Sequence, residues 1–271
     1  MQQKVVLITG ASSGIGRALA FAFGREGASI VICARKTDAL NVVSRELQQA
    51  GIDNLAITAD VSIEADVKTL IDQAVAHYGR LDILINNAGI TMRSLVIDAD
   101  PEVFRTVMDI NFMGTVYATH YALPHILKAK GSVVGISSIA GYRGLPVRAG
   151  YSASKFAMNG FLEALRTEML YSGVHVLTAC PGFTTSNIRV AALDASGQAA
   201  GESVRDESDM MSADECAQHI LNAVKKRKRE LILTMQGKLT VFLNKWLPSL
   251  TDRLVYNTLA KETDSPLKSN A

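Results

Sequence analysis

Seven short apolar runs, separated by longer stretches with helical periodicity, restrict the folds that this chain can adopt. The runs are rich in Val, Ile and Leu, and their apolar residues are nearly continuous rather than alternating. Such runs are typical of strands that are covered on both faces, and therefore of a parallel sheet between two layers of helices. The runs are VVLIT (5–9), SIVICA (29–34), LAITA (55–59), DILIN (82–86), SVVGIS (132–137), VHVLTA (174–179) and ELILT (230–234).

The alternation of strands and helices predicts an α/β fold with one doubly wound parallel sheet of about seven strands. No internal repeat or flexible linker interrupts the pattern, so we expect a single domain. Within it, residues 1–236 would form the α/β unit and residues 237–271 a C-terminal extension. Helices are predicted at 15–26, 38–50, 63–78, 101–127, 152–172 and 213–227.

Composition and charge exclude several classes of protein. The chain has 271 residues, 48% of them hydrophobic, which is enough for a large core. Its formal net charge of +2 does not support binding to nucleic acid. Cys33, Cys180 and Cys216 match neither a disulfide framework nor a metal site, which favours a reducing, cytoplasmic compartment. The N-terminus does not have the layout of a signal peptide, and no apolar run reaches about 18 residues.

A glycine-rich turn follows the first run directly. In TGASSGIG (9–16), Gly10, Gly14 and Gly16 have the spacing G-x-x-x-G-x-G and precede a predicted helix. Glycines permit close approach of the backbone to a pyrophosphate, and a helix N-terminus supplies N–H donors and partial positive charge. The turn therefore predicts a dinucleotide-binding site. Its other expected members are Ser12, Ser13 and Ile15.

The end of the second run indicates which dinucleotide is bound. An acidic residue here would bond the ribose diol, whereas this chain has Arg35, whose planar guanidinium suits a 2′-phosphate. We therefore predict NADP(H) rather than NAD(H). The alternative for Arg35 is a solvated strand end, where Arg and Lys are common. After the third run, Asp60 and Val61 are expected at the adenine, with the Asp60 carboxylate on the adenine amine. An alternative is that Asp60 caps the next helix, a role for which Ser62 competes.

Two titratable side chains lie one helical turn apart in GYSASKFAMNGF (150–161). Tyr151 and Lys155 are four residues apart, so they share a face of the predicted helix. A free phenol titrates near ~10, and a neighbouring ammonium favours the phenolate. The pair therefore has the chemistry of a proton-transfer site, although the same spacing also occurs where both residues serve packing alone.

These features belong to a longer series of motifs. The series is TGASSGIG (9–16), DV (60–61), NNAG (86–89), Asn111, Ser138, Y-x-x-x-K (151–155) and PG (181–182). In kind and order it resembles the short-chain dehydrogenase/reductase family, over about residues 4–236. The resemblance implies a Rossmann fold and a nicotinamide cofactor. The region 180–268 resembles, more weakly, the branch of that family that contains dehydrogenase/reductase member 7.

The resemblance implies catalytic roles for four residues. Tyr151 would be the general acid/base that exchanges a proton with the substrate oxygen, and Lys155 would favour the phenolate and bond the nicotinamide ribose. Ser138, rather than the adjacent Ser137, would hold the substrate oxygen. Asn111, an unusual residue inside a long helix, would hold a water that links Lys155 to solvent. The alternative for Asn111 is a solvated helix face.

Two further turns are implied in cofactor binding. The NNAG turn would support the central sheet and contact the adenosine side, and the PG turn would bring backbone groups to the nicotinamide carboxamide. Beyond this turn many family members have a branched aliphatic residue and then Thr, whereas this chain reads PGFTTS. The residues implied at the two turns are Asn87, Ala88, Gly89, Pro181, Gly182, Thr184 and Ser186.

These patterns predict an NADP(H)-dependent oxidoreductase that transfers a hydride between nicotinamide and a lipophilic carbonyl or secondary alcohol. One alternative is a 3-oxoacyl or acyl-dihydroxyacetone-phosphate reductase. Another, of a different class, is a nucleotide-binding regulatory protein without turnover. Analogy with the family predicts a homodimer or homotetramer formed through the predicted helices 101–127 and 152–172.

The tail after Gly237 carries a stripe of apolar residues at helical spacing, with lysines beside it. One interpretation is that the stripe covers the core or a subunit interface. The other is that it lies on a membrane surface with the basic residues toward anionic lipid. The stripe consists of Leu239, Phe242, Leu243, Trp246 and Leu247, and the neighbouring lysines are Lys238 and Lys245.

Overall fold

The computed structural model describes residues 1–182, 184, 188, 191–199, 201, 210–261 and 265–270. The strands in these ranges are β1 (Val5–Thr9), β2 (Ser29–Ala34), β3 (Asn54–Thr58), β4 (Ile83–Asn86), β5 (Ser132–Ile136), β6 (His175–Cys180) and β7 (Glu230–Ile232). They form one sheet in the order β3-β2-β1-β4-β5-β6-β7, and every neighbouring pair is parallel. The predicted doubly wound parallel sheet is confirmed.

Helices connect the strands and cover both faces of the sheet. They are α1 (Gly14–Gly24), α2 (Thr37–Gln49), α3 (Glu64–Tyr78), α4 (Pro101–Met108), α5 (Gly114–Ala129), α6 (Ala149–Glu168), α7 (Ala213–Lys225), α8 (Met235–Trp246) and α9 (Pro248–Ala260). Shorter turns are a π-helical turn at Asp109–Met113 and 3₁₀ turns at Ile139–Gly141 and Pro266–Asn270.

The two layers of helices explain why the strand sequences are continuously apolar. Val6 and Ile8 of β1 pack with α1, α2 and α7 in one buried cluster. Val5 and Leu7 of the same strand belong to the opposite cluster, together with α3, α5 and α6. Because successive side chains of a strand point to opposite faces, both sets of positions must be apolar.

The strand order reverses beside β1. The chain runs outward from β1 through β2 to β3 and then returns to place β4 on the other side of β1. In open α/β sheets, ligands bind in the crevice that such a reversal leaves beyond the carboxyl ends of the strands. The predicted cofactor and catalytic residues follow these ends.

The single helix predicted at 101–127 is wrong in one respect. The structure divides it into α4, a π-helical turn that contains Asn111, and α5. A π turn accommodates one extra residue without ending the helix, so the apolar periodicity on either side conceals it.

The tail forms α8 and α9, and most of its predicted apolar stripe is exposed. The exposed fraction is 60% for Phe242 and 65% for Trp246. The interpretation that the stripe covers the core of this chain is therefore wrong for these residues, whereas the subunit-interface and membrane-surface interpretations stay open. Among the described helices, none is both long and apolar enough to cross a membrane.

Candidate active site

The glycine-rich turn joins β1 to α1. Two of its glycines are required because neighbouring backbone atoms leave no room for a Cβ. Gly10 has φ +65°, and a Cβ there would lie 2.7 Å from the Ala88 Cα. A Cβ on Gly16 would lie 2.4 Å from the Gly10 carbonyl oxygen. Both positions therefore exclude larger residues, which keeps the turn pressed against the end of β4.

The turn after β4 supports the glycine-rich turn through side-chain hydrogen bonds. The Asn87 Nδ2 donates to the carbonyl oxygens of Thr9, at 2.8 Å, and Gly10, at 3.0 Å. The Thr9 hydroxyl in turn accepts the N–H groups of Asn87 and Ala88, each at 3.0 Å. The Asn87 side chain thus bonds the backbone of the glycine-rich turn, while the N–H groups of Asn87 and Ala88 bond the Thr9 side chain.

The N-terminus of α1 faces this crevice and fits a phosphate group. Ser13 precedes the helix, and its side chain makes no capping hydrogen bond. Ser12, Gly14 and Ile15 are partly exposed. The first N–H groups of a helix need partners from outside the helix, and an anion such as a pyrophosphate supplies them.

Arg35 and Asp60 lie side by side beyond the ends of β2 and β3. The Arg35 Nη1 is 3.7 Å from the Asp60 Oδ2, and the Arg35 side chain is 57% exposed. The alternative that Asp60 or Ser62 caps the next helix is wrong, because α3 begins at Glu64 after Ile63. The Asp60 Oδ1 instead accepts the backbone N–H of Ser62 at 2.9 Å and its hydroxyl at 2.7 Å. Val61, the next residue, is buried.

Lys155 is a buried cation on α6. Its side chain is inside the protein, and its Nζ donates a hydrogen bond of 2.9 Å to the Ile136 carbonyl oxygen at the end of β5. The same Nζ lies 5.7 Å from the centroid of the Tyr151 ring. Burial lowers the pKa of Lys155 to about 8, because the apolar surroundings disfavour the charged form.

Asn111 is fully buried, so the alternative of a solvated helix face is wrong. Its Oδ1 accepts the Ile90 N–H at 2.8 Å, and its Nδ2 donates to the Ile90 carbonyl at 2.9 Å. The Nδ2 also donates to the Ser154 hydroxyl at 2.9 Å, and that hydroxyl donates to the Tyr151 carbonyl oxygen at 2.7 Å. Asn111 therefore links the turn after β4 to the helix that carries Tyr151 and Lys155.

Gly89 lies between Asn111 and Lys155. A Cβ on Gly89 would be 3.2 Å from the Asn111 Oδ1 and 3.5 Å from the Lys155 Nζ. The absence of a side chain at this position therefore lets the turn after β4 approach both polar groups closely.

The two serines after β5 have different surroundings. Ser137 is buried, and its hydroxyl donates to the Asn159 Oδ1 at 2.6 Å. Ser138 is only partly buried, and its hydroxyl accepts the Ala140 N–H at 3.2 Å, which leaves the hydroxyl proton for another partner. This arrangement favours Ser138 over Ser137 as the residue that contacts a substrate.

Comparison of the sequence with models of known protein families shows to which family this chain belongs. The sequence model described as "short chain dehydrogenase" matches residues 4–196. The chain belongs to the short-chain dehydrogenase/reductase family.

Several named proteins are similar in sequence to this short-chain dehydrogenase/reductase. "Dehydrogenase/reductase SDR family member 7B" of Mus musculus is 35% identical over 271 residues, which cover 98% of this chain and 84% of the relative. "11-beta-hydroxysteroid dehydrogenase-like 4A" of Arabidopsis thaliana is 38% identical over 227 residues, 83% of this chain and 74% of the relative. The predicted resemblance, including that to the member 7 branch, is confirmed.

A solved structure has the same fold. It is a short chain dehydrogenase/reductase from Burkholderia phymatum in complex with NAD, with a TM-score of 0.83 and 25% sequence identity. The match covers 92% of this chain and 95% of the other.

The turn after β6 completes the described part of this short-chain dehydrogenase/reductase site. Pro181 is buried, and a Cβ on Gly182 would lie 2.5 Å from the Thr234 Cγ2. Thr184 is buried, and its hydroxyl lies 3.3 Å from the Gly182 carbonyl oxygen. Ser186 lies outside the described residues.

Several polar residues that hold the site together are not among the predicted site residues. Thr9 and Ser154 lie inside the quoted motifs, so their positions were a usable signal. Asn159 also lies inside a quoted stretch, GYSASKFAMNGF (150–161), whereas Asn244 gave no signal, because the residues it bonds are 101 and 102 positions earlier. Within the described ranges, no group of three or more His, Cys, Asp or Glu residues is arranged to hold a metal ion.

Proposed function

We propose that this chain is an NADP(H)-dependent oxidoreductase that interconverts a lipophilic carbonyl and its secondary alcohol, with Tyr151 as general acid/base. The observation that carries the proposal is the buried Lys155, whose Nζ lies 5.7 Å from the Tyr151 ring centroid. A cation is costly to bury without an ionic partner, and its place beside a phenol at a dinucleotide-binding crevice suits proton transfer.

The roles of the residues follow from their positions. Bound NADPH supplies the hydride. As negative charge develops on the carbonyl oxygen, the Tyr151 hydroxyl donates its proton to that oxygen and the Lys155 ammonium stabilises the resulting phenolate. Ser138 donates a second hydrogen bond to the same oxygen. Lys155 has three N–H donors, of which one bonds Ile136, so the others are available for the nicotinamide ribose.

The choice of NADP(H) over NAD(H) rests on Arg35. Its exposed guanidinium at the end of β2 suits a 2′-phosphate, and its 3.7 Å approach to Asp60 is loose enough for that pair to be exchanged for a phosphate. The Burkholderia phymatum relative was solved with NAD, so the family alone does not decide between the two cofactors.

Cofactor titrations of an Arg35→Asp variant test this choice. The dissociation constant of NADPH is expected to rise by about 100-fold or more, because a charge-assisted contact becomes a repulsion, while that of NADH changes little. Arg45→Asp on the exposed face of α2 makes the same change of charge away from the site and serves as the control. Equal losses for both cofactors would contradict the proposal.

The substrate class is proposed from the exposed apolar tail and from the hydroxysteroid dehydrogenase-like name of one relative. A 3-oxoacyl or acyl-dihydroxyacetone-phosphate reductase is the alternative within the same chemistry. A panel of steroid, retinoid, aliphatic, quinone and acyl-ester ketones separates these classes by kcat/KM with NADPH.

Tyr151→Phe tests the reaction. The variant is expected to bind NADPH normally and to lose at least about 100-fold in kcat, because the proton donor is removed. Tyr171→Phe is the matched control, since Tyr171 is 97% exposed. Normal turnover by Tyr151→Phe would contradict the assignment. NADPH binding without turnover of any ketone by the wild type would favour the regulatory alternative.

We also propose that the exposed tail touches a membrane surface. Leu239, Phe242 and Trp246 lie three and four residues apart on α8 and are each more than half exposed. Lys238 and Lys245 are exposed beside them and would meet anionic lipid headgroups. A homodimer or homotetramer stays a prediction from the family.

A further inference from the structure

We propose that Asn244 of α8 is a positioning residue that holds the segment after Ser138 in place. The inference rests on the proposed function, since it assigns to the C-terminal extension a part in the same reaction. The proposed function assigns roles to residues at the cofactor and the substrate, whereas Asn244 touches neither.

The segment that carries Ser138 is held internally by one short turn, whose hydrogen bonds come from the N–H groups of residues 140 to 143. Ser138 precedes a single 3₁₀ turn, Ile139–Gly141, and the chain then continues through Tyr142 and Arg143. Short 3₁₀ turns have poor hydrogen-bond geometry, and loop segments open more readily than helices or strands. Contacts from other elements therefore add to the bonds of this turn in fixing the segment that carries Ser138.

Asn244 supplies two of these contacts. Its Nδ2 donates to the Tyr142 carbonyl oxygen at 2.9 Å, and its Oδ1 accepts from the Arg143 Nη1 at 3.1 Å. Arg143 also forms an ion pair with Asp252 of α9. Both helices of the extension therefore bond Arg143, and Asn244 of α8 also bonds the backbone of Tyr142.

The other end of α8 contacts the same segment. A Cβ on Gly237 would lie 2.8 Å from the Ile139 Cδ1, so the helix packs directly on the residue after Ser138. The Thr234 hydroxyl accepts the Gly237 N–H at 3.1 Å and caps the start of α8. The helix thus spans the segment from Ile139 to Arg143.

Two other elements, α6 and β7, also form hydrogen bonds with this segment. The Asn159 Nδ2 of α6 donates to the Gly141 carbonyl oxygen at 2.9 Å. The Tyr142 hydroxyl donates to Glu230 of β7. Together with Asn244 these contacts form a clamp of three elements on the segment, and Asn244 bonds the carbonyl that follows the turn. A displacement of about 1 Å at a substrate-orienting group is enough to cost about 100-fold in rate.

Three variants separate positioning from general stabilisation. Asn244→Ala removes both hydrogen bonds, whereas Asn244→Asp keeps an acceptor for Arg143 and loses the donor to the Tyr142 carbonyl. Asn257→Ala, an exposed residue on α9, is the matched control. Each is measured for thermal midpoint, NADPH dissociation constant, and kcat and KM on the ketone with the highest wild-type kcat/KM.

The decisive comparison is a double-mutant cycle with Ser138→Ala. If Asn244 acts through Ser138, Asn244→Ala lowers kcat by about tenfold in the wild type and by nothing further in Ser138→Ala, with NADPH affinity unchanged. Asn244→Asp is expected to lose as much. Equal losses in both backgrounds, no loss at all, or full activity of Asn244→Asp would overturn the proposal.

Hydrogen exchange keeps this test independent of the proposed function. Faster exchange of the backbone amides of residues 139–143 in Asn244→Ala, but not in Asn257→Ala, is expected whether or not a ketone is turned over. Unchanged exchange of these amides in Asn244→Ala would overturn the proposal that Asn244 holds the segment. Failure of the wild type on every ketone, with faster exchange in Asn244→Ala, would instead reject the reaction and leave the clamp standing.

Discussion

Lys155 shows how a single residue sets the working range of the site. The ammonium is buried, its hydrogen bond to Ile136 is to a neutral carbonyl, and burial lowers its pKa to about 8. Below that pH the residue is charged and able to stabilise a phenolate on Tyr151. Above it, a growing fraction of the enzyme has a neutral amine that no longer does so.

The first prediction is a pH profile. The kcat/KM for ketone reduction by the free enzyme is expected to fall as pH rises through about 8, because the charged form of Lys155 is lost. Lys155→Arg, which stays charged at all accessible pH values, should be slower but lack this alkaline fall. If kcat/KM of Lys155→Arg still falls at alkaline pH, the fall is caused by the titration of a group other than Lys155.

The second prediction concerns Asn111. Asn111→Ala removes three hydrogen bonds and leaves both backbone groups of Ile90 without their partner, so the free energy of unfolding should drop by about 2–4 kcal/mol. Urea unfolding measures this drop, with Asn222→Ala on the exposed side of α7 as control. A loss no larger than the control's would contradict the structural role of Asn111.

At the scale of elements, the strands were predictable and the local irregularities were not. Continuous apolar runs identified all seven strands because both faces of a doubly wound sheet are buried. The π turn around Asn111 was not predictable, since one inserted residue leaves the flanking periodicity unchanged. The start of α3 at Glu64 departs from the usual capping residues, so capping preference pointed to the wrong role for Asp60.

The third prediction belongs to α6. Gly160 lies inside this helix, and a Cβ there would meet nothing within 4 Å. Gly160→Ala should therefore raise the free energy of unfolding by roughly 0.5–1 kcal/mol, because alanine has the higher helix propensity. Gly16→Ala is the contrasting variant, since its Cβ would lie 2.4 Å from the Gly10 carbonyl oxygen and should destabilise the protein. Destabilisation by Gly160→Ala, measured by urea unfolding, would contradict this prediction.

At the scale of the whole molecule, the site depends on residues far apart in sequence. The motifs indicated that the glycine-rich turn and the turn after β4 lie together at the carboxyl edge of the sheet, because parallel strands bring their ends together. The motifs did not predict that the tail contacts the segment after Ser138, because Asn244 bonds residues that are 101 and 102 positions earlier. Hydropathy located the apolar stripe of α8 but left its exposure open, which only the packed structure decides.

The fourth prediction tests the exposed tail. The protein is expected to co-sediment with vesicles of phosphatidylcholine and phosphatidylserine, and less with phosphatidylcholine alone, because lysines flank the apolar face. Phe242→Glu with Trp246→Glu should abolish this binding, whereas Tyr171→Glu should not. If the double variant instead dissociates an oligomer and leaves vesicle binding unchanged, the face is a subunit interface.

The most direct test of the central claim follows the hydride itself. Wild-type enzyme and Tyr151→Phe are incubated with NADPH that carries two deuterium atoms at C4 and with the best ketone, and the alcohol is analysed by mass spectrometry. One deuterium is expected on the carbinol carbon of the wild-type product, and almost no product is expected from Tyr151→Phe. An alcohol without deuterium, or equal product from the variant, would contradict the central claim.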